Sequence, residues 1–185
     1  MSKIRRLVDS YSRYISVPWR SDAAAAQRVI FCVYNEDYEL HLRAKIDEFE
    51  IATKQSGHEW AVYDLTDTFS DWLSRQRYAK SYYKNPQLLS TRMPNYLAFI
   101  KQEFENFLHE KGITEKTVVA LKGVGSIFGF LMVKEIVGEL APLVAGRLLV
   151  FFPGNYEDDN YRLFDAYDGW NYLAVPITAD KEVLN

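Results

Sequence analysis

Four short runs of aliphatic, β-branched and aromatic residues punctuate the chain: RVIFCVY at 28–34, WAVYDL at 60–65, TVVAL at 117–121 and RLLVFF at 147–152. A strand with one wet face alternates apolar and polar residues, whereas a strand apolar at nearly every position needs cover on both faces. The stretches between the runs carry the 3.6-residue period of helices. Strands buried on both faces and separated by helices predict an α/β layer fold, with a largely parallel central sheet flanked by helices. Tyr161–Phe164 and Tyr172–Val175 read as two short late strands, giving a sheet of about four to six. The chain shows neither an internal repeat nor a Gly/Ser linker, so residues 1–185 are expected to form a single domain.

The helices carry their own punctuation. Ile4, Leu7, Val8, Tyr11 and Ile15 recur at helical spacing, which predicts an amphipathic helical arm within residues 1–18, ended at Val17-Pro18. Asn35 or Asp37 is placed to cap a second helix, with Leu42, Ile46 and Phe49 inward and Gly57 closing it. Thr68 with Asp71 opens another, with Phe69, Trp72 and Leu73 on its apolar side. The pattern from Tyr78 to Met93 is poor and broken by Pro86. Pro94 suits a first helical turn, and Leu97, Ile100, Phe104, Phe107 and Leu108 form the most regular stripe, stopped by Gly112. The turn KGVGS is expected to lead straight into a helix with Phe128, Leu131, Met132, Ile136 and Leu140 inward. Pro153-Gly154 is expected to stop the fourth strand.

Composition excludes several classes of function. With 22 Lys and Arg against 25 Asp and Glu, the net charge is -3 and the pI about 5.7. That rules out a generally basic nucleic-acid binder but leaves room for a local basic patch. One cysteine forms no internal disulfide and suits a reducing compartment. No secretory signal is visible at the start, and the longest apolar stretch, Leu143 to Pro153, is interrupted by Arg147 and too short to span a bilayer. A cytoplasmic, soluble protein is the expectation. Aromatic residues are over-represented: 4 Trp, 13 Tyr and 11 Phe, 15% of the chain.

The catalytic motifs are incomplete. Gly123-Val124-Gly125-Ser126 lies between a strand and a helix, where exposed amides attract anions. A P-loop, however, ends in Gly-Lys-Ser/Thr, and a dinucleotide loop has its third glycine three residues on, not four. Gly123, Gly125 and Ser126 therefore stand as a tight turn or a weak anion site. Ser126 is no nucleophile elbow, because Val124 and Phe128 occupy the glycine positions; His41, His58 and His109 are the only histidines that could serve it as a base. Glu157, Asp158 and Asp159 read as a solvated loop or, with less support, a magnesium site. Cys32 reads as a core thiol. No cofactor and no metal are expected.

The segment RQRYAKSYYK differs from these. Arg75, Arg77, Lys80 and Lys84 give it a charge of +4, leaving -7 for the rest of the chain. Tyr78, Tyr82 and Tyr83 interleave with the bases. This composition suits a protein contact, a nucleic-acid contact through phosphates and stacked bases, or a solvated helix face. Lys3, Arg5, Arg6 and Arg13 give the first helix a basic side, for which docking onto the domain is expected rather than a membrane. Phe31, Phe49, Phe104, Phe107, Phe128, Phe151 and Phe152 are expected in the core. The tyrosines of the first helix, of 78–83 and of 156–172 are expected on a partner-binding surface, since each buried hydroxyl needs a hydrogen-bond partner.

The sequence also resembles a known family. VVALKGVGSIFGFL, RLLVFFPGNYEDDNYRLF and WNYLAVPI together resemble the BrxB family of the BREX bacteriophage-exclusion systems. The shared elements are Gly123 to Phe128, Phe151 to Tyr156, Leu163-Phe164 and Asn171-Tyr172, within residues 117–177. Proline often follows the aromatic residue of the first element in that family; here the position is Gly129. The resemblance implies a small, non-enzymatic core or adaptor subunit that contacts other BREX proteins: the alkaline-phosphatase-like PglZ protein, the large ATPase or the DNA methyltransferase. Tyr156 joins the candidate partner-binding residues. The alternative is a degenerate nucleotide- or nucleic-acid-binding module using Gly123–Ser126 or Arg75–Lys84.

Overall fold

The structure is a computed structural model that describes residues 2–20, 22–164, 166 and 171–179. In chain order the elements are α1 (Lys3–Ile15), β1 (Val29–Tyr34), α2 (Glu39–Arg43), α3 (Ile46–Gln55), β2 (Glu59–Asp64), α4 (Thr68–Ser74) and α5 (Ala79–Lys84). Then follow α6 (Met93–Lys111), β3 (Thr117–Lys122), α7 (Val133–Leu140), β4 (Arg147–Glu157), β5 (Asn160–Leu163) and β6 (Val175–Ile177). The fold is α/β. Five strands run parallel in the order β2-β3-β4-β1-β6, and β5 pairs antiparallel with the end of β4.

This order divides the helices between the two faces. The crossover from β1 to β2 moves three places one way, and those from β2 to β3 and β3 to β4 move back. Right-handed crossovers of opposite direction put their helices on opposite faces. Accordingly, Ile30, Cys32, Leu149 and Phe151 face a layer made by α1 and α3, while Phe31, Val33, Val150 and Phe152 face α4, α6 and α7. The two-sided apolar runs of β1, β3 and β4 are thus buried on both sides, as their composition requires. In α1 the side chain of Ser2 accepts from the Arg5 amide at 3.2 Å, while Ile4, Leu7, Tyr11 and Ile15 sink into the sheet. Burying such an aliphatic side chain is worth about 1.5–3 kcal/mol, more than any helix propensity.

The structure corrects several expectations. KGVGS does not open a continuous helix: a 3-10 turn spans Val124–Ile127, Gly129 adopts a left-handed φ of +82°, and α7 begins only at Val133. The reset of helical phase leaves Phe128 and Met132 outside, 51% and 52% exposed. Pro153-Gly154 does not stop β4, which continues to Glu157 and returns as β5. Gly154 is needed there, because a Cβ would lie 1.9 Å from the Arg162 carbonyl oxygen. Asp158 and Asp159, at φ 50° and 61°, make the two-residue hairpin turn, so the acidic trio forms a turn and its flank. The helix after β1 comes in two pieces, α2 and α3, preceded by a short turn that Asn35 caps. The last strand is Val175–Ile177 rather than Tyr172–Val175; Trp170, at the head of the closing family segment, lies outside the described residues.

The tyrosines also divide differently. Tyr11, Tyr96 and Tyr161 are fully buried, and each hydroxyl has a partner: Thr53 Oγ1 at 2.6 Å, Thr68 Oγ1 at 2.8 Å and the Ala174 carbonyl at 3.1 Å. Tyr11 and Tyr161 were expected on a surface; a local hydroxyl partner lets the core take them instead.

Candidate interaction surface and crevice

The segment Arg75–Lys84 follows α4, which Arg75 caps, and forms a turn and α5. Tyr82 packs into the core, so of the three tyrosines two remain outside: Tyr78 is 54% and Tyr83 68% exposed. A six-residue helix can bury only one narrow face, and Tyr82 takes it. Arg75 stacks over the Phe99 ring at 5.0 Å and pairs with Glu103 at 3.8 Å, which ties it to α6. Arg77 lies 5.5 Å from the Tyr78 ring. Lys80, Lys84 and Arg92 are exposed and form no ion pair among the described residues, and no acid occurs between Asp71 and Glu103. Leu88 is also exposed beside them. The result is a cationic surface with two rings and an aliphatic side chain on it.

The Gly123–Ser126 loop is packed from both sides. Gly123 is left-handed at φ +75°, and a Cβ there would lie 2.4 Å from Thr66 Oγ1. A Cβ on Gly125 would lie 2.9 Å from the Phe164 ring. The Ser126 hydroxyl is directed at the carbonyls of Gly123 (2.6 Å) and Leu65 (3.1 Å). These contacts hold the ends of β2 and β3 together, with Lys122 Nζ 3.0 Å from Asp64 across the strand pair. At Gly129 the φ of +82° is closed to proline, so this loop leaves the first family element by a route that a proline-bearing chain does not take.

Tyr156 lies on neither of these. Its ring packs on Tyr161 at 4.6 Å, and its hydroxyl donates to Asp159 at 2.9 Å. Partial burial, followed by this carboxylate, pushes its phenol above the ordinary value. It lines a crevice of about 270 Å³ at the carboxyl ends of β1, β4 and β6, the side of an open α/β sheet where ligands bind. Lys3, Tyr34, Asn35, Tyr38, Asn155 and Thr178 share its wall. The Tyr34 hydroxyl donates to Glu39, and Lys3 Nζ sits 5.8 Å from the Tyr38 ring. Sequence reasoning missed this wall except for Tyr156, because its members come from four distant segments that only the sheet order assembles.

The remaining candidates sit apart from both places. Cys32 is fully buried, and burial pushes its thiol well up. His58 stacks on Trp19 at 3.7 Å, and burial, then the charge of Arg147, lowers its pKa. Among the described residues no group of three His, Cys, Asp or Glu side chains is placed to hold a metal, and no helix is long and apolar enough to cross a membrane.

No curated protein and no solved structure matches the chain significantly. The family model of BREX protein BrxB matches residues 62–177. That span starts at β2 and ends at β6, so it takes in the cationic surface of α4 and α5, the glycine loop and the β4–β5 hairpin. It extends well upstream of the 117–177 segment and covers more than half of the chain. The chain therefore belongs to the BrxB family and is a component of a BREX phage-defence system.

Proposed function

We propose that the chain is a non-enzymatic adaptor that holds a larger BREX protein, the PglZ-like protein or the ATPase, against its α4–α5 surface. The observation that carries this reading is the exposure of Tyr78 and Tyr83 beside Lys80 and Lys84, which form no ion pair among the described residues. Exposed tyrosines cost solubility in a free subunit, whereas tyrosine and arginine anchor interfaces. The partner surface that fits is acidic at its rim, with a pocket for an aromatic ring. The engagement of Ser126 with two carbonyls and the burial of Cys32 support a scaffold reading over a nucleophilic one.

The same bases and rings support a second reading, contact with DNA. Co-purification from cells carrying the whole system, compared with filter binding to duplex DNA, separates the two. The variant Tyr78→Ala/Tyr83→Ala is expected to lose the protein partner, since an interface anchor contributes about 2 kcal/mol or more. Lys80→Glu/Lys84→Glu is expected to slow association and make it less salt-sensitive. Full retention of both partners by the four-substitution variant would sink the adaptor reading. DNA binding by the wild type, lost in that variant and steeply salt-dependent, would replace it with the second.

A further inference from the structure

At the opposite end of the sheet, the amino ends of β4 and β6 meet the segment after α1 around a cavity of about 340 Å³. Its base is Arg147, the residue that breaks the apolar run of β4. Arg147 is only 7% exposed and makes no ion pair among the described residues. One of its five donors reaches the Arg20 carbonyl at 3.3 Å, and its guanidinium lies 4.7 Å from the Trp19 ring. Among the described residues the neighbouring charged side chains are of its own sign or already paired. Arg28 donates to the Ala145 carbonyl at 2.6 Å, and Arg20 is paired with Asp22 at 3.1 Å. A buried cation with no carboxylate of its own is costly for a fold to keep. Burial lowers its pKa; the Tyr14 phenol on the cavity wall opposes this, and Arg28 adds to it.

The walls narrow the choice of anion. A guanidinium that forms no ion pair among the described residues suits a monoanion, and its planar fork matches a carboxylate. Trp19 already carries His58 and Arg147 on its ring system, which makes it a poor platform for a nucleobase. Val17, Pro18, Leu173 and Val175 supply apolar wall, with Val17 and Leu173 well exposed. We propose that this cavity receives an aspartate or glutamate side chain of a partner polypeptide, with Arg147 taking the carboxylate and Val17, Leu173 and Val175 covering an adjacent aliphatic residue. The proposal stands independently of the α4–α5 surface.

The test is a titration of the full-length, isotope-labelled chain, read by NMR at the Trp19 indole N–H and the Arg147 Nε–H. The probes are acetyl-Leu-Glu-Leu-amide, its Gln counterpart and inorganic phosphate. Saturable shifts are expected with the Glu peptide, with affinity about tenfold or more above that of the Gln peptide. Phosphate is expected to produce no saturation. Gln27→Glu places a carboxylate on the cavity wall and keeps an acceptor for the Ala24 amide, 3.0 Å away, so it is expected to abolish binding in a folded protein. Arg147→Gln is expected to do the same. The Tyr78→Ala/Tyr83→Ala variant is expected to bind the peptide like wild type. Equal affinity for the two peptides, no response to either, saturation by phosphate alone, or undiminished binding by Gln27→Glu would each overturn the proposal.

Discussion

Tyr11 and Thr53 allow a quantitative test of the claim that the aromatic excess is partly structural. The Tyr11 hydroxyl, on α1, lies 2.6 Å from Thr53 Oγ1 on α3, and both residues are fully buried. Thr53 Oγ1 also bonds to the Phe49 carbonyl at 2.8 Å. Tyr11→Phe removes one hydrogen bond but leaves Thr53 a partner, so it is expected to cost about 1 kcal/mol. Thr53→Val is different. It strands the Tyr11 phenol in a site shut off from water, and the cost of an unsatisfied buried hydroxyl is about 1–3 kcal/mol. The double variant leaves two apolar groups in contact and is expected to cost less than the sum of the single changes, by about 1 kcal/mol or more. Urea unfolding followed by circular dichroism gives all four values, provided the slope with denaturant is unchanged. If Tyr11→Phe proves as damaging as Thr53→Val, or the two costs add, the bond does not join α1 to α3 in the way described.

Three further outcomes follow from burial and backbone geometry. Burial, the largest cause in each case, raises the phenols of Tyr11, Tyr34 and Tyr161 and pushes Tyr63 up to about 12. An unfolded tyrosine titrates near about 10, so above that pH the unfolded chain holds fewer protons than the folded one. Stability is therefore full below about pH 10 and falls as pH rises toward the folded values; a urea midpoint unchanged between about pH 9 and 11 would contradict this. Gly154→Ala sets a Cβ 1.9 Å from a backbone oxygen that has no freedom to move aside, and is expected to lower stability by about 2 kcal/mol or more. Gly138→Ala, in α7 with nothing within 4 Å of the added atom, is expected to raise it by about 0.5–1 kcal/mol. Thermal melts of the two variants moving in the same direction would refute the argument.

Some parts of the molecule were legible in the sequence because their cause is local. The period of α1, its stop at Val17-Pro18, and the left-handed Gly112 that ends α6 depend on residues within one or two turns. The cationic character of Arg75–Lys84 is likewise a property of adjacent residues. Burial within that segment was not legible. Tyr78, Tyr82 and Tyr83 are alike in composition, and only the packing of α5 on the core sends Tyr82 inward and leaves the other two outside. Phe128 shows the same limit in reverse. Its helical spacing from Leu131 and Met132 points to a core position, but Gly129 turns the chain before α7 begins.

By itself, the sequence determined the class of fold and the family elements. Two-sided apolar strands leave a chain few alternatives to a covered parallel sheet, and a glycine at a positive φ restricts its own turn. Tertiary structure decided which groups share a place. Tyr156 shares a crevice wall with Tyr34 because β1 and β4 are neighbours in the sheet although more than a hundred residues separate them. Arg147, which in sequence merely interrupts an apolar run, becomes a buried cation beside Trp19 because the chain after α1 folds across the amino end of β4. Local periodicity reports the conformation of a segment, whereas charge, burial and partnership are set by whatever the fold brings to within a few ångströms.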